Sequence, residues 1–221
     1  MTVEAASESR PRIAVVDYGA GNLVSIDQAL SRVGGCVSIA RDGRDLDDAD
    51  AVVVPGVGAA GPAMERLARR GLVEPLRAWL RDDRPYLGIC LGLQLLFDAS
   101  DEDGAPTLAV LPGRTVRLLD APTLPHIGWN QVDIRGAHPL FEGIPDGTDF
   151  YFVHSYAGAP NATADVVIAT TEHGGRFPSA IARGRMVGVQ FHPERSGVDG
   201  LHLLRNFVAL VRAAVTGPLA A

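Results

Sequence analysis

Cys90 lies between Gly88 and Gly92, at the point where the apolar run Tyr86-Leu87-Gly88-Ile89 gives way to the helical pattern Leu91-Gly92-Leu93-Gln94-Leu95-Leu96-Phe97. That is a strand–turn–helix elbow, G-x-nucleophile-x-G, with cysteine in the nucleophile position. The turn strains the nucleophile's backbone, and side chains two residues to either side would collide, hence the glycines. A helix starting at Leu91 aims its first amides and positive end at the sulfur, and the Leu91 N–H is placed to bind an oxyanion. A cysteine nucleophile needs a base, and the base needs a third group to orient it. Val189-Gln190-Phe191-His192-Pro193-Glu194 offers both. Residues i and i+2 at a strand end project to one side, so Glu194 can take one ring nitrogen of His192 and leave the other for Cys90. Read alone, Cys90 is equally a core cysteine and His192/Glu194 a surface pair; together they make a Cys–His–Glu set.

Other uses of these side chains are less consistent with the spacing. A metal site through Cys90, His154, His192 and Glu194 fits no closed zinc pattern, and Cys90 has no C-x-x-C partner. No metal or cofactor is expected. Asp17-Tyr18-Gly19-Ala20-Gly21-Asn22 opens a helix after a strand, but Val24 stands where a dinucleotide fingerprint needs its third glycine. Pro55-Gly56-Val57-Gly58-Ala59 follows another strand and can supply a second oxyanion donor. His126, His138, His173 and His202 are expected in loops or on a helix, as structural or solvated residues. Cys36, at a strand start, reads as a small core residue.

The elements that must carry this chemistry alternate. Strands are expected at Arg12–Val16, Val37–Ala40, Ala51–Val54 and Tyr86–Ile89. Between them come a helix capped by Asn22 and ended at Gly34, then helices over Ala63–Arg70 and Val73–Arg81. Such alternation implies a parallel sheet with helices on both faces, whose C-terminal strand ends gather the site. Beyond Phe97 turn residues are frequent. Short strands at Thr115–Leu118, Gln131–Ile134, Phe150–Val153, Val166–Thr171 and Met186–Phe191 predict antiparallel or mixed pairing. A final amphipathic helix buries Leu204, Phe207, Val208, Val211 and Val215. Residues 12–216 read as one domain between a leader over 1–11 and a tail over 217–221.

Composition narrows the classes further. The 221 residues are 47% hydrophobic and 21% charged, with a net charge of −6. This suits a globular chain with a full core, and gives no basic footprint for nucleic acid or an anionic membrane. All 20 basic residues are arginine, which removes P-loop lysine and Schiff-base chemistry. Two cysteines make no disulfide framework and suit a reduced, cytoplasmic protein. There is no signal-peptide pattern and no span long enough for a membrane, so Asn161-Ala162-Thr163 reads as a chance glycosylation match.

The motifs together resemble the class I (triad) glutamine amidotransferases, and among them the glutaminase subunits of imidazole glycerol phosphate synthases. Besides the elbow, the resemblance is carried by Asp17-Tyr18-Gly19…Gly21-Asn22, Pro55-Gly56-Val57-Gly58-Ala59 and Pro125-His126-Ile127-Gly128-Trp129-Asn130. Phe150-Tyr151-Phe152-Val153-His154-Ser155-Tyr156 and Gln190-Phe191-His192-Pro193-Glu194-Arg195-Ser196-Gly197 complete it, in order, across Arg12–Val215. It implies an α/β, flavodoxin-like amidotransferase fold, with a mostly parallel central sheet, flanking helices and a smaller antiparallel sheet. It implies that Cys90 attacks the side-chain amide of L-glutamine, with His192 moving protons and Glu194 orienting it. Amides of Leu91 and Val57 would hold the oxyanion, and Gly56, Gln94, Ser155 and Tyr156 would line the glutamine pocket. It implies a partner, a (β/α)8-barrel cyclase chain that receives the ammonia for histidine biosynthesis. Arg195 replaces a usual lysine and Ala60 a usual aromatic residue, which bear on the cyclase contact and on the loop after Pro55. The competing readings are a glutaminase serving another acceptor synthase, a cysteine peptidase, and a flavodoxin-like binding module.

Overall fold

The apolar runs fold into strands buried on both faces, as parallel strands covered by helices must be. The computed structural model describes residues 10–160 and 164–217; the first nine residues of the expected leader, Asn161-Ala162-Thr163 and residues 218–221 of the expected tail lie outside the described residues. The first half runs β1 (Arg12–Val16), α1 (Leu23–Arg32), β2 (Cys36–Ala40), β3 (Ala51–Gly56), α2 (Ala60–Arg69), α3 (Val73–Arg81), β4 (Tyr86–Cys90) and α4 (Leu91–Gln94). The second adds β5 (Ala99–Ser100), β6 (Gly113–Arg117), β7 (His126–Ile134), β8 (Thr148–His154) and β9 (Tyr156–Pro160). β10 (Val167–Glu172), β11 (Arg176–Arg183), β12 (Met186–Val189) and α5 (Gly197–Thr216) follow.

Nine strands form one sheet in the order β2-β1-β3-β4-β12-β11-β10-β7-β8. The pairings from β2 across to β12 are parallel, and those from β12 to β8 antiparallel. A small second sheet, β5-β6-β9, pairs β6 antiparallel to β9 and β5 parallel to β6. Alternate residues of the central strands feed two cores. Ile13, Val15, Val53, Leu87 and Ile89 pack with Ile26, Leu30, Leu204, Phe207 and Val208. Ala14, Val16, Val52, Val54 and Tyr86 pack with Ala63, Leu67, Leu76 and Trp79. Each such fully buried large aliphatic or aromatic side chain contributes about 1.5–3 kcal/mol.

Several sequence expectations are corrected. Cys36 is exposed rather than in the core, because β2 is the edge strand and only its last residue is fully buried. Val215 is 55% exposed: the apolar stripe of α5 continues past Val211, but nothing among the described residues covers its last turn. β7 begins at His126, so that histidine is buried on a strand and not in a loop. β9 and β11 go unforeseen. β11 carries Pro178, which pairs with Thr170 beside a register shift in β10, where a missing N–H is tolerated. α2 starts at Ala60, which is buried in its first turn. Among the described residues no helix is long and apolar enough to cross a membrane.

Candidate active site

β4 lies between β3 and β12, and its C-terminal residue is Cys90. Cys90 has φ 54° and ψ −107°, a backbone conformation that L-residues rarely adopt. Packing enforces it: a Cβ on Gly88 would stand 2.5 Å from the Gly92 carbonyl oxygen, and one on Gly92 would run into the Val54 carbonyl. The helix expected after Cys90 is a single turn, Leu91–Gln94. One turn aligns too few peptides for a sizeable macrodipole, so the local Leu91 amide is what it can offer an anion. The Cys90 side chain is nearly buried, with Sγ 3.9 Å from the Val153 carbonyl oxygen.

Parallel register sets Val189 beside Ile89 and Gly56 beside Cys90. β12 ends at Val189, so His192 and Glu194 do not meet through strand alternation. A short 3-10 turn over Pro193–Arg195 brings them together, and His192 Nδ1 lies 2.8 Å from Glu194 Oε1. The backbone of His192 is clamped as well. Its N–H donates to the Tyr151 carbonyl at 2.8 Å, and its own carbonyl accepts from Ser196 Oγ at 2.7 Å. His192 Nε2 is buried without a hydrogen-bond partner among the described residues. Burial disfavours the imidazolium, but the adjacent Cys90 sulfur and the Glu194 carboxylate outweigh it and push His192 up to about 10.

Cys90 opens on a cavity of about 220 Å³. That is below the ~300–1,000 Å³ of drug-sized sites and suits an amino acid. Val57, Gly58, Leu91, Gln94, Ser155 and Tyr156 line it, with Glu102, Pro125, Val153 and His154. Of the residues singled out from sequence, Cys90, Leu91, Val57, Gln94, Ser155 and Tyr156 therefore share one cavity. Gly56, His192 and Glu194 are not on its wall. Gly56 lies beneath it, where a Cβ would collide with the Tyr18 hydroxyl and come within 2.9 Å of Leu91 Cβ. Glu102 was not singled out; burial, then the neighbouring Asp103, raises its carboxyl above the usual range.

The polar side chains around the cavity are tied together. Gln94 Nε2 donates to the Tyr156 carbonyl at 2.8 Å and to Gln190 Oε1 at 3.1 Å, and Gln190 Nε2 lies 3.6 Å from Cys90 Sγ. Sequence reading missed Gln190, although its place one residue past β12 puts it beside Cys90. His154 Nδ1 donates to the same Tyr156 carbonyl at 2.9 Å, which leaves its Nε2 to accept from His126 Nδ1 at 3.1 Å. Asn130 Nδ2 then donates to His126 Nε2 at 3.1 Å. Both rings are kept neutral, chiefly by burial: His126 is pushed down to about 4 and His154 to about 3. With both nitrogens of His154 engaged, the metal reading loses a ligand. Among the described residues no group of three or more His, Cys, Asp or Glu is arranged to hold a metal ion. The Asp17–Asn22 loop packs Gly21 against Pro55 and Gly56 and so supports the loop beside Cys90.

The sequence model of the glutamine amidotransferase class-I family matches residues 14–211. The imidazole glycerol phosphate synthase subunit HisH of Moorella thermoacetica is 49% identical over 203 residues, 91% of this chain and 96% of that protein. The HisH protein of a Synechococcus species is 48% identical over 214 residues, 95% of this chain and 97% of that one. Among solved structures, a glutamine amidotransferase of Thermotoga maritima superposes with TM-score 0.64 at 17% identity, over 93% of this chain and 96% of that one. PurLQS of Thermotoga maritima gives TM-score 0.72 at 17% identity, over 93% and 99%. At those identities the structures speak for the fold alone. With a match that runs from β1 into α5, and relatives near half identity over more than nine-tenths of their length, the chain belongs to the class-I glutamine amidotransferase family.

Proposed function

We propose that this chain is the glutaminase subunit of an imidazole glycerol phosphate synthase, acting over residues 12–216 as one amidotransferase domain in the cytoplasm. The observation that carries the reading is a strained cysteine opening on an amino-acid-sized cavity, in a chain nearly half identical to curated HisH subunits. Cys90 Sγ attacks the side-chain amide carbon of glutamine, and the carbonyl oxygen becomes an oxyanion facing the amides of Leu91 and Val57. His192, protonated at neutral pH, gives its Nε2 proton to the leaving nitrogen, which departs as ammonia. The glutamyl thioester remains. His192 then takes a proton from water, the hydroxide attacks the thioester, and glutamate leaves as the Cys90 thiol is restored. Glu194 holds the ring by its Nδ1 hydrogen bond throughout. Gln94, Ser155 and Tyr156 line the glutamine pocket over Gly56, and the Glu102 carboxylate faces the α-ammonium. No step needs a cofactor.

The ammonia passes to a cyclase chain, a (β/α)8 barrel. Support for a docking face comes from the cavity's surroundings. Val57 on the cavity wall is 48% exposed, and Ile127 and Trp129, on one side of β7, are 60% and 57% exposed. Trp129 packs edge-on to Tyr151, whose ring carries the Arg195 guanidinium at 4.2 Å. Exposed apolar groups collected in this way mark an interaction surface. A glutaminase for a different acceptor synthase would share the triad but not this face. Label from carbon-14 glutamine, quenched during turnover of the two-chain complex, should be held on Cys90 and absent from Cys90→Ala. Turnover with label on neither protein would overturn the thioester chemistry.

A further inference from the structure

Gln190 is wholly buried, one residue past β12 and alongside Cys90 through the β4–β12 register. Its carboxamide spans two groups, accepting from Gln94 at Oε1 and facing Cys90 Sγ with Nε2. A carboxamide has two N–H donors and one carbonyl. Gln94 gives its donors to the Tyr156 carbonyl and to Gln190, so its carbonyl is the group left for the cavity. A backbone carbonyl can only accept, so the Tyr156 contact settles which way Gln94 points. Turning Gln94 over would set its oxygen against two other oxygens in a buried place. Turning Gln190 over would break its bond from Gln94 and face an oxygen to the sulfur.

We propose that Gln190 is a positioning residue of the glutaminase site. It fixes Gln94 so that the Gln94 carbonyl meets an N–H donor of glutamine, and it donates to the Cys90 sulfur with a hydrogen bond that strengthens as the sulfur gains charge. This inference rests on the glutaminase reading. Two substitutions separate the arms. Gln190→Glu keeps an acceptor for Gln94 and, as a carboxylate, has no donor for sulfur. Gln190→Met keeps the length and removes both.

On the full chain, iodoacetamide alkylation against pH, followed at the Cys90 peptide by mass spectrometry because Cys36 is exposed too, reads the sulfur, and protection by L-glutamine reads Gln94. Both variants should move the alkylation midpoint upward by about one pH unit, a tenfold change. The half-protecting glutamine concentration should rise about fivefold or more in Gln190→Met and stay within about twofold in Gln190→Glu. A wild-type midpoint in either cooperatively melting variant overturns the sulfur arm. Protection equal to wild type in Gln190→Met, or lost equally in both variants, overturns the Gln94 arm. Wild-type Cys90 that glutamine does not protect removes the glutaminase reading itself, before Gln190 is in question.

Discussion

Cys90, at φ 54°, sets its sulfur beside the Val153 carbonyl and the Gln190 carboxamide, so chemistry at that point depends on what the neighbours present to it. If Cys90 is the nucleophile, Cys90→Ala should lower glutamine turnover by at least about 10⁴-fold, as losing a nucleophile does in other triads. A steady-state glutamate assay on the two-chain complex checks this. Glu194→Gln should be less severe, up to about 10⁴-fold, because orientation is lost while the nucleophile stays. The same variant should also change the pH profile. His192 is raised by its neighbours, so the native state binds its proton more tightly than the unfolded chain does. The stabilisation is complete below about pH 6.5 and lost as pH rises through about 10, and proton delivery to ammonia fades over that alkaline range. Removing the Glu194 charge lowers the ring's affinity for its proton, so the alkaline limb of the rate should move to lower pH. An unmoved limb would contradict the assigned role. At this scale the sequence was legible where geometry demands a residue type: Cys90 between two glycines, and His192 close to a carboxylate. Gln190 and Glu102 were not legible, because a glutamine after a strand and an acidic loop have many other uses. Only register and cavity shape single them out.

Strand register and close backbone packing hold the elbow. Gly92→Ala would press a methyl group into the Val54 carbonyl of β3. The clash should destabilise by about 1–3 kcal/mol, a fall in melting temperature of roughly 3–10 °C. A calorimetric scan unchanged from wild type would show that the elbow is loosely packed. The β7–β8 pair makes a different contribution. His126 and His154 are neutral in the folded chain and near 6.5 when unfolded, so the unfolded state gains protons first as pH falls. Their contribution is present above about pH 6.5 and lost as pH drops toward 4 and 3. The melting temperature should fall by about 5 °C or more between about pH 7 and 4.5, and less in His126→Gln. The parallel half was legible because strands buried on both faces, such as Ala51–Val54, are unbroken apolar runs. The antiparallel half was less so. Tyr156–Pro160 is made mostly of small residues, and Pro178 hides β11, since its tolerance depends on a bulge in a neighbouring strand that local pattern does not reveal. Cys36 and Val215 were misread for one reason: apolar spacing tells which side a residue faces, and not whether anything covers it.

At the scale of the molecule, a glutaminase that released ammonia freely would waste glutamine, so activity is expected to answer to the partner. Val57 on the cavity wall is exposed, as are Ile127 and Trp129, which packs against the Tyr151–Arg195 pair, and these are the side chains on which the proposed docking would be read. The fold was readable from one chain, as was the pairing of His192 with Glu194; an interface is not, because exposed apolar residues acquire meaning only beside a site. The most direct measurement is glutamate release from L-glutamine by this chain alone, with the cyclase chain, and with the cyclase and its ribotide ligand, using Cys90→Ala as control. Release should need Cys90 and rise about tenfold or more with cyclase and ligand. Release that survives Cys90→Ala, or that is indifferent to the cyclase, would contradict the glutaminase-subunit assignment.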